Sequence, residues 1–364
     1  MQNLEQILKK RILNFGPISL SEFISEANLN SKYGYYNKNL PFGEKKDYIT
    51  SPEISQMFGE LIAIWSIDCW EKMGEPKQFN IIELGPGSGV LMKDFLRVVK
   101  IKPKFIENCK HIYLFDSSSL LKKIQKRNLI VNSAISKKIK WVKKLDEIPE
   151  NPFILIANEF FDALPIKQLQ LTKIGWRERM LNYNKKKKKF FISYSNKPTM
   201  LKFFLPKSEN LKKIGLIYEI PLNMISFLEN LFTRIKKIKS ACLIIDYEKK
   251  KIFGNTLKSI KKHALSNPIE KIGSSDISAH VNFDLIKEIS KKYNLSADGP
   301  ISQSEFLINL GILKRTEMLI KIANNKQKKM LTKSLEFLID KNKMGKIFKV
   351  ISIKNKKIKN LVGF

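Results

Sequence analysis

Two groups of residues in this 364-residue chain have the types and spacing for chemistry. The first is Ile82-Glu83-Leu84-Gly85-Pro86-Gly87-Ser88-Gly89, a short apolar run, a carboxylate and three closely spaced glycines. Glycines let a chain turn tightly and bring backbone amides close to a ligand. Asp116 ends the next apolar run, 31 residues after Gly85. A carboxylate in that place can accept both ribose hydroxyls of a nucleoside. The spacing exceeds the roughly 20 residues of the dinucleotide fingerprint, and the leading acid would repel a pyrophosphate. Glu83 instead suits a cationic ligand end. The expected cofactor is therefore S-adenosylmethionine, held by Glu83, Gly85, Pro86, Gly87, Gly89 and Asp116. Two plainer readings stand beside it: a turn that only packs helix on strand, and Asp116 as a helix N-cap before Ser117–Leu120. The second group is Asn158-Glu159-Phe160-Phe161-Asp162-Ala163-Leu164-Pro165, which sets two carboxylates just past another apolar run. In it Phe160, Phe161 and Leu164 read as core.

The elements that position these groups follow from the apolar pattern. Short apolar runs at Asn80–Leu84, His111–Phe115, Ile139–Val142, Phe153–Ala157 and Ala241–Ile245 read as five strands, with helices over Val90–Val99 and Leu120–Lys126. Strands alternating with helices imply an α/β fold with a parallel, Rossmann-like sheet, and ligands bind beyond its carboxyl edge. Residues 1–75 read as a helical N-terminal lid segment, 76–165 and 210–298 as the Rossmann-like core, 166–209 as an inserted β-hairpin, and 299–364 as a closing segment. Lys185–Lys189 is the hairpin's solvated tip. An exposed helix is expected over 321–344 and a closing strand over Met344–Ile353. Ser19 and Glu22 fit a capping box. The near-repeat at Gly299-Pro300-Ile301-Ser302 reflects the same local chemistry at a second helix start. Thr50 or Ser51 is expected to cap one helix containing Ile54, Phe58 and Leu61, with Pro52 in its first turn. Ser51, Glu53 and Gln56 would then point into the cofactor cleft, and Tyr35 and Tyr36 would line it or pack in the core.

Composition narrows the classes. Hydrophobic residues make up 43% of the chain, which excludes overall disorder. No run of about 18 apolar residues suggests a membrane span, and the first residues lack the apolar core of a secretory signal. Cys69, Cys109 and Cys242 are odd in number and far apart, so neither a disulfide framework nor a zinc pattern is expected. A reducing cytoplasm is the simplest compartment. The formal net charge is +33, but 60 of the 67 basic residues are Lys and they are spread along the chain. Base and phosphate recognition favours Arg in a clustered stripe, so the excess reads mainly as compositional drift.

Several long strings resemble one family. Gly16-Pro17-Ile18-Ser19, Tyr33-Gly34-Tyr35-Tyr36, Asp47–Glu60 (DYITSPEISQMFGE), Glu83–Gly89, Asn158–Pro165 (NEFFDALP), Gly175-Trp176-Arg177-Glu178, Ile245-Asp246-Tyr247, Ser278-Ala279-His280-Val281 and Met344–Lys349 follow one another in the order of the MidA family. That family is similar to mitochondrial complex I assembly factor 7 and its bacterial relatives, and the resemblance spans nearly the whole chain. It implies a class I S-adenosylmethionine-dependent methyltransferase acting on a protein arginine, giving symmetric ω-N-dimethylarginine, as assigned to the mitochondrial relatives on a complex I subunit. This chain departs from the family pattern at Ser88, where relatives often carry Arg, at Asp116, where they usually carry Glu, and at Glu248, where they usually carry Gly.

Given that resemblance, the carboxylates past the fourth strand acquire a role. A guanidinium is a poor nucleophile, being delocalised and protonated, and a carboxylate can localise its charge and orient one nitrogen. Glu159 and Asp162 are the expected groups for this, and Asn158 would position the acceptor. Asp246 and His280 are weaker candidates, His111 and His263 weaker still. Trp176 marks the inserted hairpin as a protein-docking surface. Two other function classes remain open on the sequence: an assembly chaperone that binds S-adenosylmethionine without essential catalysis, and an RNA methyltransferase suggested by the charge.

Overall fold

The computed structural model describes residues 3–38, 50–129, 133–206, 213–261 and 264–364. Asp47–Ile49 of the family string and His263 lie outside them. Seven strands form the central sheet: β1 (Phe79–Leu84), β2 (Cys109–Phe115), β3 (Ile139–Val142), β4 (Phe153–Asn158), β5 (Ala241–Tyr247), β6 (Ser296–Ser302) and β7 (Phe348–Lys354). Their spatial order is β6-β7-β5-β4-β1-β2-β3. β1 to β5 pair in parallel, while β7 runs antiparallel to both of its neighbours. The sheet is the Rossmann-like α/β architecture expected. The order reverses between β1 and β4, so the glycine turn after β1 and the Asn158–Pro165 segment after β4 meet at the switch point, where open α/β sheets take their ligands.

Continuous burial along β1 and β4 explains why these strands read as unbroken apolar runs: helices cover both faces. Phe79 and Ile81 point to one side, against the helices Gln56–Lys72 and Val90–Val98. Ile82 and Leu84 point to the other, against Leu222–Lys237 and Phe283–Lys292. The helices Gln56–Lys72 and Val90–Val98 cross at Gly59, where a Cβ would fall 2.8 Å from that of Asp94 and 3.0 Å from the Leu91 carbonyl. Buried Glu60, beside it, takes Arg97 and Arg315 at 2.8 Å each and so ties three helices together. Gly59→Ala is therefore expected to lower the unfolding free energy by about 1–3 kcal/mol through overpacking, measured by urea denaturation; an unchanged midpoint would show that the helices can separate freely.

The insertion is more than a hairpin. Strands Lys167–Thr172, Gly175–Asn184 and Lys189–Tyr194 join Ile217–Ile220 and the two-residue strand Ile18–Ser19 in a second sheet. Helices Leu4–Phe15 and Leu20–Leu29 share a core with this sheet, built on Leu8, Phe23 and Leu181. Four local expectations need correction. The single helix through Ile54, Phe58 and Leu61 is two, Ser51–Ile54 and Gln56–Lys72, because the Ser55 hydroxyl accepts the Met57 N–H and starts a new helix; Thr50 makes no side-chain cap. The exposed helix expected over 321–344 is present but shorter, Asn325–Ile339, because an Asn324–Gln327 capping box starts it and Lys321 still belongs to the preceding helix, Ile312–Ile322. The closing strand begins at Phe348, after a helical turn over Met344–Ile347. Asp116 is not the N-cap of the following helix; Ser118 is, accepting the Leu121 N–H.

Candidate active site

Gly85, Gly87 and Gly89 have φ of +61°, +52° and +84°, backbone that glycine alone adopts without strain. At Gly85 a Cβ would also lie 3.1 Å from the Phe160 ring, so the turn rests directly on the segment after β4. Gly89 opens the helix Val90–Val98 and packs on Gln125. Between the turn, Asp116 and Asn158–Phe160 lies a cavity of about 320 Å³. Glu53, Glu83, Asp116 and Glu159 all line it, as do Pro86, Gly87, Tyr36 and Phe115.

Four acids and one lysine, Lys143, line this cavity. Burial pushes Glu83 up to about 8, and Asp116 adds to the effect. Burial likewise pushes Glu159 up to about 8, with Asp162 contributing, against the lowering by the Ser51 N–H and the Asn158 amide. Glu53 and Asp116 are raised for the same reason. Glu83 Oε2, Glu53 Oε2 and Asn158 Oδ1 are buried acceptors without a donor. A ligand that brings positive charge and several N–H or O–H groups would satisfy them; an anion would not.

Supporting contacts hold the lining in place. Asp116 Oδ1 accepts the Ser118 N–H at 2.8 Å, and Oδ2 accepts Gln125 Nε2 at 2.7 Å. The same Gln125 amide donates to the Gly87 carbonyl at 2.9 Å, and its Oε1 accepts Trp141 Nε1 at 2.8 Å. Gln125 thus links the glycine turn to the carboxylate after β2. Glu53 Oε1 accepts the Ser88 hydroxyl at 3.1 Å. Glu159 sits at φ +51°, a left-handed conformation that a non-glycine residue holds only under constraint. Its N–H is fixed by the Ile245 carbonyl, while Oε1 accepts the Ser51 N–H at 3.3 Å and Asn158 Nδ2 at 3.1 Å. Asp246 Oδ2 accepts the N–H groups of Phe161 and Asp162, which pins the segment to β5.

Not every predicted residue faces the cavity. Gln56 is exposed in the first turn of its helix, since the break at Ser55 turns it away. Ser51 is buried and contributes its N–H; its hydroxyl donates to Gln303 Oε1. Asp162 lies behind the lining, beside Asp246, and burial with that neighbour raises it well above the usual carboxylate range. Tyr35 is core, whereas Tyr36 lines the cavity and donates to Asp276 Oδ1 at 2.7 Å. His280 stacks on Tyr247 outside the cavity, and His111 contacts Lys140 along β2. Two residues were not expected from the sequence: Gln125, and Asn128, whose Nδ2 donates to the Ser88 carbonyl of the glycine turn at 2.9 Å. The signal was there for Gln125: a polar residue in register with buried Leu121, on the helix's inward stripe.

A family model described as "Putative S-adenosyl-L-methionine-dependent methyltransferase" matches residues 61–301. The chain belongs to this methyltransferase family. The Danio rerio protein named protein arginine methyltransferase NDUFAF7, mitochondrial, is 32% identical over 369 residues, covering 96% of this chain and 86% of that protein. The Drosophila melanogaster NDUFAF7 homolog is 30% identical, covering 96% and 84%. A Burkholderia thailandensis crystal structure bound to S-adenosyl-homocysteine superposes with a TM-score of 0.85 at 21% identity, covering 99% of this chain and 93% of that one. The methyltransferase's cofactor is thus S-adenosylmethionine, and the donorless carboxylate oxygens around its cavity fit that cation.

This fit has a pH signature. Glu83 and Glu159 keep their protons to about pH 8 in the folded, ligand-free methyltransferase, against an ordinary 4.5. The folded state binds more protons than the unfolded one between those values. The stabilisation is full below about 4.5 and is lost as pH rises through about 8. The melting temperature of the free protein should fall between pH 6 and 8.5, and S-adenosylmethionine should raise it most at the upper end. The combined Glu83→Gln, Glu159→Gln variant should flatten the fall. A slope unchanged in that variant would contradict the assignment.

Proposed function

We propose that this methyltransferase modifies an arginine side chain of a protein, with Glu159 as the group that orients and deprotonates the guanidinium and Asn158 beside it. The observation that carries the reading is Glu159 itself: a constrained carboxylate at the cavity wall whose Oε1 is already occupied by Ser51 and Asn158, leaving Oε2 for an incoming N–H. When bound, S-adenosylmethionine supplies an electrophilic methyl carbon. Asp116 and the Gly85–Gly89 turn would hold its nucleoside, and Glu83 and Glu53 would face its positive charge. Glu159 would accept the proton that the arginine nitrogen must lose. Asp162, out of direct reach of the cavity, would act through the Phe160–Asp162 backbone and by raising Glu159. Phe160 and Phe115, 5.9 Å apart edge to face, would keep water from the wall beneath.

The names of the NDUFAF7 relatives support this substrate class, and so do the cavity's acids. Burial raises all four and keeps Glu83 and Glu159 protonated near neutral pH in the free site, so a cationic side chain, which lets them ionise, is favoured over the phosphates of an RNA, which would hold them neutral. The test is incubation with labelled S-adenosylmethionine and a lysate from a deletion strain, with respiratory complex subunits examined first. Mass spectrometry of labelled proteins should find dimethylarginine. Label in lysine or RNA, or label in no macromolecule, would contradict the reading.

A further inference from the structure

One end of the inserted sheet carries a surface that the methyl-transfer site does not use. Ile174 lies in the loop between Lys167–Thr172 and Gly175–Asn184. Met200, Phe203 and Phe204 follow Thr199, whose N–H bonds the Trp176 carbonyl. Ile214 precedes Gly215, which bonds the Leu171 carbonyl, and Ile252 precedes Phe253, which stacks on Trp176. Four separate segments thus converge on the same end of the sheet, and these six large apolar side chains are between 47% and 77% exposed. Clustered exposure of that kind marks an interaction surface.

The charge around it says what it meets. In each segment an exposed lysine directly precedes an exposed apolar residue: Lys173-Ile174, Lys202-Phe203, Lys213-Ile214 and Lys251-Ile252. Across residues 171–176, 196–206, 213–217 and 250–255 there are six lysines, all exposed, and no Asp or Glu, in a chain with 34 acidic residues against 67 basic; Lys249, next to the last stretch, is buried in an ion pair with Glu219 and does not count toward the ring. Apolar side chains ringed by cations of one sign are complementary to a surface that is apolar within and anionic at its face. Lysine, a flexible point charge, suits a diffuse anionic layer better than paired carboxylates. No described helix is long and apolar enough to cross a membrane, so such contact is peripheral.

We propose that this lysine-ringed apolar end docks the protein on an anionic lipid bilayer, Phe203, Phe204 and the three isoleucines entering the interface while the lysines meet phosphate. The proposal is independent of the substrate reading. The full chain should co-sediment with phosphatidylcholine vesicles containing phosphatidylglycerol and not with phosphatidylcholine alone, and salt should weaken the binding. The Phe203→Ser, Phe204→Ser variant should lose at least about tenfold in vesicle affinity, as should Lys202→Glu, Lys213→Glu. Both should keep the wild-type affinity for S-adenosylhomocysteine, which reports folding. Lys186→Glu, Lys187→Glu, at the opposite hairpin tip, should bind vesicles nearly as wild type does. The proposal is overturned if no vesicle binds at low salt, or if the tip variant loses as much as the Lys202→Glu, Lys213→Glu pair, which would make net charge the cause. It is equally overturned if the phenylalanine variant instead abolishes self-association, or binding of an acidic polypeptide, with vesicle binding unchanged.

Discussion

Glu159→Gln should reduce methyl transfer by about 100- to 10,000-fold, the range for loss of a positioned proton acceptor, while the affinity for S-adenosylhomocysteine stays within a few-fold of wild type. The substitution keeps an oxygen for the Ser51 N–H and for Asn158 Nδ2, so the constrained backbone at φ +51° has no reason to move. What it removes is the charge and the basicity. The pH profile separates this from a structural effect. In the free enzyme Glu159 titrates near 8, so kcat/KM for the wild type should rise with pH up to about that value and then level, because the ionised form is the active one. The variant's residual activity should lack that limb. Unchanged turnover would remove Glu159 from the chemistry.

Asp116→Asn should weaken cofactor binding by roughly 10- to 100-fold, about 1.5–3 kcal/mol for hydrogen bonds to a charged acceptor, measured by isothermal titration with S-adenosylhomocysteine. The loss should appear in the cofactor's dissociation constant and leave kcat at saturation nearly unchanged. Gln125→Leu offers a second handle on the same place. Leucine preserves packing against Gly89 but deletes the bonds to the Gly87 carbonyl and Asp116 Oδ2, and the one that Trp141 Nε1 donates to Gln125 Oε1. Because both changes act on one carboxylate, their effects should fall short of additive in the double variant. Full additivity would show that Gln125 does not act through Asp116.

Strands β1, β4 and β5 were legible because they are buried along nearly their whole length and end in glycine or an acid at the carboxyl edge, as at Leu84-Gly85, whereas β6, half-buried throughout and containing Gly299-Pro300, was not read as a strand. The glycine turn was legible for the same reason, since its context of strand before and helix after is local. What failed to show was set by tertiary contact. The strand Ile18–Ser19 pairs with Met180 and Leu181, far along the chain, and has no pattern of its own. The inserted sheet reaches Ile220 through pairing with Lys167–Gln170. Ser55 breaks the lid helix by a single side-chain bond, which turned Gln56 outward. Asn324 with Gln327 was a readable capping signal hidden in a lysine-rich stretch. Asp162 looked equivalent to Glu159 in sequence, yet two N–H bonds to Asp246 hold its backbone so that it lies behind the cavity wall.

Crystals grown with S-adenosylhomocysteine put all of this to a direct test. The nucleoside should occupy the cavity over Gly85–Gly89, its ribose on Asp116 and its sulfur turned toward Asn158 and Glu159. Density in another place, or a sulfur facing away from Glu159, would contradict the account.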